Sequence, residues 1–210
     1  MTMKEVFLSA SIPEKGRGNF DDTADPFLIQ FAVRELVTVC LGRQRIVWGG
    51  HPSITPMVHA VCVDMGLKDF DAVLLYQSEF FRGEIPESNK FFETVYTERV
   101  PGNKAENLTH MRRKMLSRPN LHAAIFIGGM DGIFEEFELF HEFHGCDGIA
   151  FALTAPGGAS KELPKRFGVQ EWSDLDFARF FYRALDIDPK QRPEFGLEDD
   201  IPDHPKPFKM

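Results

Sequence analysis

The chain has 210 residues and a formal net charge of -8, from 24 Lys+Arg against 32 Asp+Glu. That length predicts one domain over residues 1–188 with a tail over 189–210, large enough to bury a core without disulfides or a structural metal. The acidic balance argues against nucleic acid as a partner, and the lack of an apolar run of roughly 18–20 residues or of a signal-peptide layout argues for a cytoplasmic protein without a membrane partner.

Residues 6–10 (VFLSA) read as a first strand. Asp25 and Pro26 then open a helix as N-cap and first residue, and Gly42 stops it. A second strand over 45–48 (RIVW) runs into Gly49 and Gly50. Thr55-Pro56 repeats the cap-and-proline signal, and Gly66 closes that helix. Strands follow over 72–76 and, more weakly, over 94–96. A helix follows over 104–117. Residues 123–127 (AAIFI) form a buried strand ahead of a glycine loop and a helix over 133–143. A strand over 148–153 and a helix over 175–185 complete the pattern. Strand–helix alternation of this kind predicts an α/β, Rossmann-like fold, a mostly parallel sheet with helices on both faces. Two segments read as loose: the polar loop 14–22 (EKGRGNFDD) and the proline-rich, acidic tail 189–210.

Three widely spaced cysteines, Cys40, Cys62 and Cys146, with no CxxC pair, read as buried free thiols and exclude a four-cysteine zinc site. His141 and His144 lie three apart without the HExxH glutamate, and neither a Walker loop nor a Gly-x-Ser-x-Gly elbow is present. Nothing in the residues calls for a metal or a resident cofactor.

Three predicted strand ends carry small-residue turns: Ser9-Ala10-Ser11, Gly49-Gly50-His51 and Gly128-Gly129-Met130-Asp131-Gly132. Glycine lets backbone approach a ligand, and a following helix N-terminus offers free amides to an anion. A parallel sheet gathers all three turns on one edge, where such folds bind ligands. A fourth loop, 155–160 (APGGAS), follows the last strand.

The helix after Gly132 sharpens this reading. Turning about 100° per residue, Ile133, Phe134, Phe137, Leu139, Phe140 and Phe143 form one broad apolar face. Glu135, Glu138 and Glu142 fall opposite, whereas Glu136 projects into the apolar arc beside the glycine loop. An inward carboxylate there is a general acid/base, a ligand for sugar hydroxyls, or a first-turn charge favoured by the helix dipole. On the helix from Lys104, Ala105, Leu108, Met111 and Met115 mark a buried face that also contains Arg112. Arg113 and Lys114 point away. An inward arginine needs an anion, and a bound phosphate or a carboxylate such as Glu136 would serve.

The run Gly128-Gly129-Met130-Asp131-Gly132-Ile133-Phe134-Glu135-Glu136 is similar to the PGGxGTxxE signature of the lonely-guy cytokinin-activating phosphoribohydrolases, within the SLOG superfamily of Rossmann-like nucleotide-binding domains. Met111-Arg112 resembles the arginine helix of that family. Residues 7–11 resemble its first strand and loop, and Val47-Trp48-Gly49-Gly50-His51 its second glycine loop. The resemblance spans about residues 5–160 with the motifs in order.

The chain departs from the signature in several places. Ile127 stands where the family has proline, one residue is inserted between the glycines, and Ile133 replaces threonine. The second loop reads GGHPSITPM. These departures resemble SLOG domains of bacterial nucleotide signalling and defence more closely. The resemblance implies a small-molecule nucleotide ligand, such as an NAD- or ADP-ribose-derived nucleotide, and a homodimer or higher homo-oligomer. It further implies a separate effector protein as a partner. It carries Glu136 and Arg112 over as the catalytic pair should turnover occur, the alternative being an N-glycosidase or phosphoribohydrolase. The ligand-binding set is then Ser9, Ala10, Ser11, Gly49, Gly50, His51, Gly128, Gly129, Met130, Asp131 and Gly132. Phosphates would rest on the backbone of the 128–132 loop and the 9–11 turn, with Arg112 pairing one of them.

Overall fold

The computed structural model of the chain describes residues 3–66, 72–84, 87–145 and 147–193. Cys146 and positions 194–210 of the expected tail lie outside the described residues. Strands β1 (Glu5–Ser11), β2 (Arg45–Trp48), β3 (Val73–Ser78), β4 (Glu93–Thr97), β5 (Leu121–Gly128), β6 (Ile149–Leu153) and β7 (Gln170–Trp172) form one sheet. Every pairing is parallel, and the order is β4-β3-β2-β1-β5-β6-β7. The chain therefore steps outward from β1 to one edge and then, starting at β5, outward to the other. The β1–β5 boundary is the topological switch point, the place where open parallel sheets take their ligands.

The central strands are mostly apolar and almost wholly buried because helices cover both faces. All but His122 of β5 is buried. Alternation along β1 divides the core. Val6 and Leu8 pack with helices α1 (Pro26–Cys40), α2 (Thr55–Asp64) and α6 (Phe177–Ala184). Phe7 packs with α3 (Lys104–Leu116) and α4 (Gly132–His144) on the opposite face. Ser9 has the parity of Phe7 and so faces α3 and α4.

The start of α1 follows from its sequence. The Asp25 carboxylate accepts from the Phe27 and Leu28 amides at 2.9 and 3.1 Å. The start of α2 does not follow. Thr55 is its first residue rather than its cap, the N-cap is Ile54, and the Thr55 hydroxyl donates back to the His51 carbonyl at 3.0 Å. The Thr-Pro pair still marks the boundary, because proline suits the first turn whatever precedes it.

Three other features, β7, α5 (Leu163–Phe167) and the 14–22 loop, differ from expectation. β7 and the short helix α5 have no counterpart in the sequence reading, being three and five residues long, too short to display a period. The 14–22 loop is tied down: Phe20 is buried against the Phe134 ring, 6.1 Å away, and the Glu14 amide points at Met130 Sδ, 3.5 Å away. Cys40 and Cys62 are free and buried, and burial pushes both thiols up, Cys62 to about 12. Among the described residues no helix is long and apolar enough to cross a membrane.

Candidate functional site

A cleft of about 380 Å³ opens at the C-terminal ends of β1, β2 and β3, beside the switch point. That volume suits a small-molecule ligand. β1 contributes Ser9, Ala10 and Ser11, and the loop after β2 contributes Gly49, Gly50 and His51. The glycine loop contributes Met130, and α4 contributes Gly132, Ile133 and Glu136 from its N-terminal end. α3 forms the facing wall through Lys104, Leu108, Met111 and Arg112. These α3 positions are spaced by four, three and one residues and so share one side of the helix.

Glu136 lies at the centre of the polar side. Its Oε2 accepts the Ser9 hydroxyl at 2.5 Å, and its Oε1 accepts Arg112 Nε at 3.1 Å. The Glu135 carboxylate accepts from Arg112 Nη1 and from the Thr109 hydroxyl. Glu135 is thus not on the outward face, as periodicity places it, because α3 leans close enough to fold that carboxylate into the interhelical seam. Glu138 is exposed and Glu142 pairs with Arg113 at 2.6 Å, as the outward face requires. Burial works against the Arg112 charge, but the two carboxylates more than offset it and hold the guanidinium above its ordinary range. Two protein carboxylates thus pair Arg112, Glu136 through Nε and Glu135 through Nη1, and the residue also lines the cleft.

The glycine loop divides into two roles. Met130 and Gly132 face the cleft, whereas Gly128, Gly129 and Asp131 are absent from its walls. Gly128 has φ +65°, and a Cβ there would lie 2.6 Å from Ile29 Cδ1 and 2.7 Å from the Ser11 carbonyl oxygen. Its amide donates to Ser160 Oγ at 3.0 Å, and the Gly129 amide donates to the Ser11 carbonyl at 2.8 Å. Ser160 in turn donates to the Leu153 carbonyl at 2.8 Å, so the 155–160 loop buttresses the glycine loop from behind. Gly132 leaves room for Arg112: a Cβ there would sit 2.5 Å from Nη2, so the guanidinium would have to shift. Asp131 is exposed and forms no side-chain cap bond.

Sequence reading missed several lining residues. Gln77, buried at the end of β3, donates to the Gly49 carbonyl at 2.8 Å and braces the second loop. Glu14 and Arg17, from the supposedly loose loop, face the cleft as an exposed ion pair at 3.3 Å. Lys104 extends its ammonium over the Phe81 ring, 5.5 Å from the centroid. The unbroken burial of β3 masks Gln77 within an apolar run, and the ion pair is brought in by the anchoring of Phe20. His51 is half-buried, with Nδ1 2.8 Å from Ser53 Oγ. Burial pushes its ring below the ordinary value, with Glu14 opposing and Arg17 assisting. His144 is used structurally, its Nε2 lying 2.7 Å from the Leu116 carbonyl. Among the described residues no His, Cys, Asp and Glu side chains gather in a group of three able to hold a metal ion.

A family model covers residues 19–185. The chain belongs to the SLOG cluster3 family. Membership points to a nucleotide-related function, in keeping with the position of the cleft. Among curated proteins none matches this SLOG cluster3 protein. A solved structure of DNA processing protein A from Helicobacter pylori is similar in fold, with a TM-score of 0.52 over 88% of this chain and 81% of that one. At 10% identity the likeness concerns the fold alone. That structure was described for its single-stranded DNA binding mode.

Proposed function

We propose that this SLOG cluster3 protein binds a nucleotide, or an NAD- or ADP-ribose-derived ligand, in the cleft at the C-terminal edge of the sheet, and serves as a sensor or carrier domain. The observation that carries the reading is the Glu136 carboxylate, oriented by Ser9 and Arg112 and facing a cleft at the switch point. Both its oxygens accept hydrogen bonds from fixed donors, which leaves the outward lone pairs to take hydroxyl protons from a ribose. The apolar wall of Leu108 and Met111, with Phe81 beside it, suits a base. The Met130 and Gly132 amides at the start of α4, together with Lys104, suit a phosphate. The protein acts as a homodimer or higher homo-oligomer over residues 1–188, and a separate effector reads the bound state.

A second reading, an N-glycosidase, draws on the same carboxylate. Placed against C1′, Glu136 would stabilise the oxocarbenium charge that develops as the bond to the base breaks. Water would then bond to C1′ and the base would leave with a proton.

Incubation of purified protein with AMP, NAD, ADP-ribose and cyclic ADP-ribose, followed by chromatography and mass spectrometry of bound and free pools, separates the two. Intact nucleotide retained by wild type and lost from Glu136→Ala is expected. Free base and ribose phosphate, absent with Glu136→Ala, would establish the glycosidase instead. Retention of no nucleotide, with salt-sensitive retardation of single-stranded DNA, would overturn both readings.

A further inference from the structure

The loop after β2 holds a hydrogen-bond chain that neither reading uses. The Ile12 amide, just beyond β1, donates to Ser53 Oγ at 3.1 Å. Ser53 Oγ lies 2.8 Å from His51 Nδ1, and the Ser53 amide donates to that same nitrogen at 3.3 Å. A backbone amide can only donate, so Nδ1 is the unprotonated nitrogen of the ring. The hydroxyl accepts from Ile12 and has one proton of its own, which it gives to Nδ1. The ring proton is thereby confined to Nε2.

From this chain we infer that Ser53 is a positioning residue that fixes the tautomer of His51, and that His51 presents a neutral Nε2–H donor to an acceptor oxygen of the nucleotide. This rests on the proposed binding of a nucleotide in the cleft. His51 lines that cleft, with Glu14 and Arg17 of the facing loop as its charged neighbours. Arg17 is occupied by Glu14, and Arg112 by Glu135 and Glu136. Among the described residues no carboxylate hydrogen-bonds the His51 ring, so His51 offers a donor on the β2 side that carries direction without charge. A neutral donor recognises the position of an oxygen, on a phosphoryl group or elsewhere on the nucleotide, and adds little to a purely coulombic attraction for polyanions. Ser53 also ties the turn after β1 to the turn after β2, so the donor and the Ser9–Glu136 acceptor are held in one frame.

Long-range proton–nitrogen NMR of labelled protein reads the tautomer without any ligand. The expected spectrum has His51 Nδ1 in the unprotonated, pyridine-like range and Nε2 in the protonated, pyrrole-like range at neutral pH. In Ser53→Ala only the long 3.3 Å amide contact remains on Nδ1, so the two shifts move part of the way toward each other as the second tautomer gains population. A protonated Nδ1 in wild type, or a Ser53→Ala spectrum identical to it, overturns the inference. Binding is read by calorimetry with ADP-ribose. His51→Ala weakens it about three- to tenfold, the value of one neutral hydrogen bond. His51→Gln, whose amide nitrogen falls near Nε2, restores most of that loss, and His51→Asn, whose amide falls near Nδ1, does not. Equal losses in the Gln and Asn variants, with Glu136→Ala still abolishing uptake, overturn the donor role and leave the nucleotide reading standing. A wild type that takes up neither ADP-ribose nor AMP overturns the nucleotide reading, and the ligand contact with it, even where the tautomer is as stated.

Discussion

Removing the Arg112 side chain leaves Glu135 and Glu136 facing each other in the α3–α4 seam with no cation between them. The Arg112 and Glu136 side chains are 15% and 17% exposed, and Glu135 is 35% exposed. Breaking a fully buried pair costs about 3–5 kcal/mol, and the partial exposure here places Arg112→Ala near the lower end, about 3 kcal/mol. For a chain of this size that lowers Tm by about 6–12 °C. Glu136→Gln is much milder. Its amide oxygen can still face Arg112 Nε while its NH₂ donates to Ser9 Oγ, so both bonds survive and only their ionic part, about 1 kcal/mol, is lost. The double variant Arg112→Ala/Glu136→Gln removes one of the two stranded charges and should cost about 1–2 kcal/mol less than the sum of the single variants. Urea unfolding followed by Trp48 and Trp172 fluorescence measures all three. Strict additivity, or a loss below about 1 kcal/mol for Arg112→Ala, would show that the cluster is not coupled as described and that Arg112 does not orient Glu136.

Gly128→Ala should destabilise by about 2–4 kcal/mol, since a Cβ at φ +65° is strained and also meets Ile29 and the Ser11 carbonyl; a thermal melt within 2 °C of wild type, on the order of 0.5–1 kcal/mol, would refute this. Burial lowers the His51 and His122 rings, so the unfolded chain binds protons more readily than the fold does below their ordinary value of 6.5. Their contribution to stability is full above that pH and is lost as pH falls through the lowered values. The drop in urea midpoint between pH 7.5 and 5.5 should shrink in His51→Gln/His122→Gln. Cys40 and Cys62 should resist iodoacetamide in the native protein and react in urea, as peptide mapping would detect.

Local signals carried much of the site. Helical period alone turned Glu136 and Arg112 inward, because burial of Phe137, Phe140, Met111 and Met115 fixes the rotation of each helix about its own axis. Strand alternation and glycine turns located three walls of the cleft for a similar reason: pleat and positive φ are properties of a few consecutive residues. Contacts between residues distant in the chain were not legible in this way. Glu135 reads as outward until α3 packs against α4, and the amides of Gly128 and Gly129 look free until Ser160 and Ser11 reach them from 32 and 118 residues away. The Arg17 loop reads as loose until Phe20 finds Phe134. Periodicity says which face of an element is apolar but not which element covers it, so the charge balance of the cleft and the division of the glycine loop into support and wall arise only when the two halves of the sheet meet at β1 and β5.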